Sequence, residues 1–324
     1  MPLHQREVLT ACGHLYSRNL VQARRAAIKS ELRILKAVKR FCRRKLKALN
    51  RFYIRKPNVV RYVRRTIQFK PQNILFYPDH PCGRRANYTI IRICHHLGYK
   101  MINDPEKKHH LGVNWKDATF REVDDRLQEL IDQGQVINAG SLDISKEHVD
   151  QVVHEAFGYN AKIDPITYRG RIVEKSNLNG RHDGRIIEGP ITHINKDKVY
   201  QKLIENIHDE RLVVDMRVPV FKHIIPFVYL KYKPIETRFG LSAKAGLTQI
   251  ENVFSKEEIA KCMSFCREMG LDYGELDMGR DVHDGKLYIF DANNTPTVRY
   301  VGHSMREKSM IIRQLSEAFE EAFS

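Results

Sequence analysis

The chain has 324 residues, 42% of them hydrophobic, with 55 Lys and Arg against 39 Asp and Glu and a formal net charge of +16. That length accommodates two or three subdomains with a sizeable core, and no run approaches the about 18 apolar residues that cross a bilayer. The opening residues lack the apolar centre of a secretory signal, and six cysteines without framework spacing, Cys262 and Cys266 reading as core thiols on a helix, point to a reducing cytosol.

The basic excess is local. Residues 17–70 hold 19 Lys or Arg and a single acid, Glu31, whereas residues 71–324 hold 35 basic and 37 acidic residues. Residues 17–56 read as one long helix ending before Pro57, with Ile28, Leu32, Leu35, Val38, Cys42, Leu46, Leu49 and Tyr53 forming an apolar stripe beside a cationic wall. Three readings compete: a helix lying in an anionic membrane surface, a nucleic-acid contact, or a stripe packed on a partner or on the chain's own body. No recognisable nucleic-acid motif accompanies the charge, which counts against the second.

From Gln72, NILFYPDH reads as a buried strand followed by the turn signals Pro78, Pro81 and Gly83. ANYTIIRICHHLGYKM reads as a helix ending at Gly98, and HLGVNW as a second strand, so the order suggests an α/β unit with a parallel sheet. Loops at the carboxyl edge of such strands bind ligands, which places Asp79, His80, Arg84 and Arg85 near a site or on a plain exposed loop. Trp115 reads as core or as a lid anchor. Further on, Asp143 and Ser145 can cap a helix starting near Lys146. GRIVEKSNLNGRHDGRIIEGPI reads as a strand ending in Lys175, a polar loop with Gly180 and Gly184, and a second strand. Its backbone N–H groups can meet phosphate oxygens, the alternative being an exposed basic hairpin carrying Arg181, His182 and Arg185.

VYQKLIEN (199–206) reads as a short strand, and LVVDMRVPVF (212–221) alternates, with Val214, Met216 and Val218 on one face and Asp215 and Arg217 on the other. FVYLKYKPIETRFG brings Lys231, Lys233 and Arg238 near a strand end. SKEEIAKCMSFCREMG is a helix with Ser255 and Glu258 as its capping box, and SMREKSMIIRQLSEAFEEAF is a terminal amphipathic helix. Between them GLDYGELDMGRDVHDGKLYIFDANNTP reads as a hairpin, with strands at roughly 274–278 and 286–293 around a turn containing His283, Asp284 and Gly285. Asp291 and Asn293 share a face. A three-residue loop with Gly285 left-handed would set Asp277 across from Asp291, and a two-residue turn would set it on the opposite face. In the first case two carboxylates and an amide oxygen converge, a hard-oxygen set suited to Mg²⁺.

This acid, D-G turn and Asp-x-Asn-x-x-Pro run resembles the metal-binding end of the ATP-grasp superfamily, of the D-alanine:D-alanine ligase type, and the resemblance extends in order over residues 72 to about 300. It implies an α/β (α+β) ATP-grasp fold. The expected parts are a basic helical extension (1–70), a small preceding α/β domain (71–140), a small grasp subdomain with the phosphate loop (141–206) and a large subdomain with the metal site (207–324). Carried over residue by residue, Asp277, Asp291 and Asn293 would hold Mg²⁺, and Lys146 and Lys175 would reach the ATP phosphates. The hinge Gln201, Lys202, Leu203 and Ile204 would read the adenine edge with backbone groups. Asp215 would meet the ribose, Arg217 would position acyl groups, and Lys231 is the candidate for the γ-phosphate or an acyl phosphate, with Lys233 and Arg238 as alternatives. The implied activity is ATP-dependent carboxylate–amine ligation through an acyl phosphate. The alternatives are a kinase acting on a hydroxyl and a non-catalytic scaffold docked by its basic helix. Expected partners are ATP, a small or polymer-linked carboxylate and amine, and an anionic membrane surface through residues 17–56, with a homodimer left open; the expected location is the cytoplasm, peripheral at the inner face of the membrane.

Overall fold

A computed structural model describes residues 72–81, 87–134, 136–240, 244–298 and 302–324. The expected basic helix, Arg84 and Arg85 lie outside the described residues. Three sheets form. The first has strands β1 (Asn73–Pro78), β2 (Lys100–Ile102), β3 (Leu111–Trp115) and β4 (Val136–Ile137), all parallel in the order β2-β1-β3-β4. Burial on both faces explains the unbroken apolar run of β1. Ile74 and Phe76 pack towards helix α1 (Thr89–Leu97) and the C-terminal helix α5 (Met305–Phe323), while Leu75 packs towards Leu130 of α2 (Asp125–Gln133). Helix α1 ends where expected, with Gly98 left-handed at φ 72°. β2 and α2 had no clear sequence signal: the first is three residues long, and the second buries only Leu127 and Leu130.

The second sheet is antiparallel, in the order β10-β9-β8-β11-β12, with β8 (Leu212–Phe221), β9 (Val228–Pro234), β10 (Lys244–Thr248), β11 (Tyr273–Arg280) and β12 (Leu287–Asn293). Met216, Val218, Leu276, Met278, Ile289 and Ala292 turn one face onto helices α3 (Lys146–Phe157) and α4 (Lys256–Glu268). The alternation read in 212–221 therefore holds, and it leaves Asp215 and Arg217 on the other face. The third sheet, order β6-β5-β7, joins β5 (Gly170–Ser176), β6 (Arg185–Gly189) and β7 (Lys198–Lys202). Ser145 caps α3, its hydroxyl accepting the His148 N–H at 3.3 Å, and both arms of the Ser255–Glu258 capping box of α4 are present.

The β11–β12 hairpin departs from the expected turn in an instructive way. Its strands pair from Arg280↔Leu287, and Asp281 N–H donates to Lys286 O at 3.0 Å, so the loop is the four residues Val282–Gly285, with Gly285 at φ 67°. That even loop alone would set Asp277 opposite Phe290. A β-bulge between Asp277 and Met278 shifts the register by one, and Asp277 faces Asp291 and Glu275 faces Asn293. The expected pairing is present, produced by a bulge instead of an odd loop. Gly279 makes room for it, because a Cβ there would lie 2.4 Å from the Phe290 ring. Gly279→Ala is therefore expected to destabilise the protein by about 1–3 kcal/mol through overpacking, read as a lowered urea midpoint at unchanged slope.

Candidate functional site

A cleft of about 730 Å³ is lined by the polar face of the five-stranded sheet, the β5–β7 sheet and the 177–184 loop. All twelve site residues expected from sequence, Lys146, Lys175, Gln201, Lys202, Leu203, Ile204, Asp215, Arg217, Lys231, Asp277, Asp291 and Asn293, line it. Its Lys and Arg number eight against five Asp, so the cavity is electropositive and suited to an anionic guest.

Strand register determines which charges meet. Arg217 lies across β8–β11 from Asp277 and grips it with two bonds, Nε to Oδ1 at 3.0 Å and Nη2 to Oδ2 at 2.8 Å. Lys231 donates to the same Oδ1 at 2.6 Å. Burial works against the Asp277 charge, but Arg217 and Lys231 outweigh it and hold its pKa well below the usual carboxylate range. Burial likewise opposes the charge on Arg217, and Asp277 and Glu275 more than offset it. Burial lowers the pKa of Lys231 despite Asp277. Lys146, the first residue of α3, donates to Asp291 Oδ1 at 2.9 Å. Lys233 pairs with Asp215 at 2.5 Å and donates to Arg238 O at 3.0 Å.

Lys175 is placed differently. Its Nζ donates to Phe290 O at 3.3 Å, and burial, reinforced by nearby Lys146, lowers its pKa from 10.5 to about 8. At the hinge the side chains turn elsewhere: Gln201 donates to the buried Asp150 at 2.6 Å, and Lys202 donates to Asp284 at 3.1 Å over the Tyr288 ring. Three hinge backbone groups are also committed within the fold, Lys202 N–H to Ala161 O, Leu203 N–H to Arg171 O and Ile204 O to the Arg238 guanidinium. The expected adenine contacts are thereby narrowed to the remaining groups of the segment.

The donor set fits magnesium. A carboxylate has about four acceptor positions; on Asp277 three are taken by Arg217 and Lys231, and Asp291 uses one on Lys146. Asn293 Oδ1 accepts the Thr295 N–H at 2.9 Å and has a longer 3.5 Å contact from the Thr295 hydroxyl, whose 2.9 Å bond goes to Asp117, so its second lone pair is only weakly engaged. Among the described residues no three His, Cys, Asp or Glu form a metal cage, so the ion would draw its remaining ligands from water and phosphate, as Mg²⁺ usually does.

Sequence reasoning passed over Asp117, Tyr88, Thr295, Asn206 and Glu275, of which the first four line the cleft. Asp79 and His80, expected near a site at the carboxyl edge after β1, are not among the lining residues. Applied to β3 as well, the same expectation would have found Asp117.

Arg217→Ala leaves two buried carboxylates short of a guanidinium and is expected to cost about 3–5 kcal/mol in urea unfolding. Lys175 below pH 8 is charged both folded and unfolded, and its burial penalty is then fully present; between about 8 and 10.5 only the unfolded chain holds the proton, and stability rises with pH. Lys175→Met is therefore expected to be more stable than wild type at pH 7, with the difference shrinking as pH rises through 8 towards 10.5, read by denaturant midpoints of both proteins.

No protein-family model matches the chain, and no curated protein matches it. Solved structures do. The ATP-grasp ligase PsnB complexed with minimal precursor aligns with a TM-score of 0.51 at 15% identity, over 79% of this chain and 100% of that one. PsnB complexed with a phosphomimetic variant of minimal precursor, Mg and ADP gives 0.51 at 13% identity, over 79% and 98%. D-alanine–D-alanine ligase from Bacillus anthracis gives 0.45 at 13% identity, over 78% and 97%. The likeness to PsnB at a TM-score of 0.51 over the whole of that chain shows that this chain adopts the ATP-grasp fold.

Proposed function

We propose that the protein is an ATP-dependent ligase that joins a carboxylate to an amine, with Mg-ATP held in the cleft. The observation that carries this reading is the facing pair Asp277 and Asp291 beside Asn293, set in an otherwise cation-rich cavity with Lys146 and Lys175 above it. PsnB, which shares the fold, is an ATP-grasp ligase with Mg and ADP in one of its structures, and this supports the same class of chemistry here.

Magnesium at Asp291, Asn293 and Asp277 would neutralise charge on the phosphates as it shifts during transfer. The chain's own residues do the rest. Lys175 presents an ammonium that a phosphate would favour in its charged form. Lys231 helps Arg217 keep Asp277 ionised, and Lys146 pairs with Asp291. Arg217 fixes Asp277 in one orientation, a rigidity that phosphoryl transfer, which relies on positioning, requires. In the reaction a substrate carboxylate oxygen bonds to the γ-phosphorus as the bond to the β-phosphate oxygen breaks and ADP departs. The amine nitrogen then bonds to the acyl carbon, the carbon–oxygen bond to phosphate breaks, and one proton is released. None of these steps requires a covalent nucleophile from the protein.

Calorimetric titration of ATP with and without Mg²⁺ into wild type and Asp291→Ala tests the nucleotide site. Wild type should bind with a clear magnesium dependence, and the variant should bind at least tenfold more weakly, about 1.4 kcal/mol, with that dependence gone. Equal binding by both proteins would refute the assignment of the metal to this hairpin.

A further inference from the structure

Four of the five acids lining the cleft are ion-paired: Asp183 with Lys198, Asp215 with Lys233, Asp277 with Arg217 and Lys231, and Asp291 with Lys146. The fifth, Asp117, takes part in none of the ion pairs among the described residues. It follows β3 at the carboxyl edge of the parallel sheet, and its partners are neutral hydroxyls: Tyr88 donates to Oδ2 at 2.8 Å and Thr295 to Oδ1 at 2.9 Å. Two bonds leave about half of a carboxylate's acceptor capacity open. The buried guanidinium of Arg121, which feels the Asp117 charge, instead donates to Asn114 O at 2.8 Å and to Asn294 Oδ1 at 2.6 Å. Asp117 is exposed to the cleft, and the lining residues bonded to it or next to it in sequence, Tyr88, Thr295 and Ala118, carry no charge.

The position is tied to the proposed reaction centre from both sides. Thr295 bonds Asp117 through its hydroxyl and Asn293 through its N–H. Two residues on, the Thr119 hydroxyl accepts the Asn179 N–H at 2.9 Å, and Asn179 belongs to the glycine loop and reaches Lys146. The 117–119 segment thus spans the metal hairpin and the phosphate loop.

We propose that Asp117 receives the ammonium group of the acceptor amine, an inference that rests on the ligase reading and adds the class of its second substrate. A carboxylate bonded by neutral hydroxyls attracts a cation and repels phosphate and carboxylate, so the two substrates are sorted to different ends of one cavity by charge. A neutral hydroxyl acceptor, as a kinase would use, could donate a hydrogen bond to that anion but would lack the charge attraction an ammonium gains.

The test is a titration of glycinamide, which carries one ammonium group, and of its neutral counterpart N-acetylglycinamide into the isotopically labelled full chain with Mg²⁺ and a non-hydrolysable ATP analogue, followed by amide chemical shifts. Glycinamide should give saturable shifts at Ala118 and Thr295, and N-acetylglycinamide should bind at least tenfold more weakly. Asp117→Asn should weaken glycinamide tenfold or more, and Asp117→Glu should retain part of the binding. Equal responses of wild type to the charged and neutral probes, or unchanged glycinamide binding by Asp117→Asn, would overturn the proposal. The wild-type comparison stands even if Asp117→Asn fails to fold. The ligase reading fails separately, by wild type taking up no nucleotide analogue in the same samples.

Discussion

Two carboxylates facing each other across adjacent strands are the constraint around which this structure is arranged. Unit charges about 4 Å apart at a protein surface repel by about 4 kcal/mol, and Asp277 and Asp291 are direct cross-strand neighbours. The charges that compensate them come from three separate elements, Arg217 on β8, Lys231 on β9 and Lys146 at the start of α3. Neutralising the pair therefore also joins the hairpin to two strands of its own sheet and to the helix that precedes the smaller sheet. The same contacts that stabilise the acids set the positions of the cations around the cleft.

That arrangement depends on one extra residue. The even hairpin loop brings Phe290 opposite Asp277, and only the bulge returns the acids to a common face. The cost is local crowding, absorbed by Gly279 against the Phe290 ring. The Phe290 carbonyl in turn accepts from Lys175, so the irregular residue also links the large sheet to the lysine of the small one. Bulges are common where a side chain must be re-aimed near a site, and here the re-aimed groups are Asp291 and Asn293.

What the sequence conveyed depended on how local the cause was. The helix stops at Gly98, the Ser145 and Ser255 caps, and the alternation of 212–221 arise within a few residues, and each is found where it was read. The convergence of twelve distant residues on one cleft came through resemblance to a fold, since no local pattern links Lys146 to Asp291. What stayed hidden was set by register and by contacts between distant segments. The bulge has no composition signature beyond a glycine. The bidentate grip of Arg217 on Asp277 follows from β8 pairing with β11, 60 positions apart in sequence. Asp117 carries no local signal because its partners, Tyr88 and Thr295, are 29 and 178 positions away.

The electrostatics of the cavity are uneven, and the unevenness has chemical meaning. An excess of lysine and arginine attracts anions, but cations already committed to aspartates contribute little net field at short range. Lys175 is not committed in that way: it donates to the Phe290 carbonyl, lies close to Lys146, and has its pKa drawn down by burial to about 8. A buried ammonium in that state gains more from an arriving phosphate than a paired one, because the phosphate supplies the counter-charge the fold withholds. Asp117 has the reverse character, an acid in no ion pair among the described residues and bonded by two neutral hydroxyls. Under the proposed ligase reading, the Lys175 end would suit an anionic substrate and the Asp117 end a cationic one.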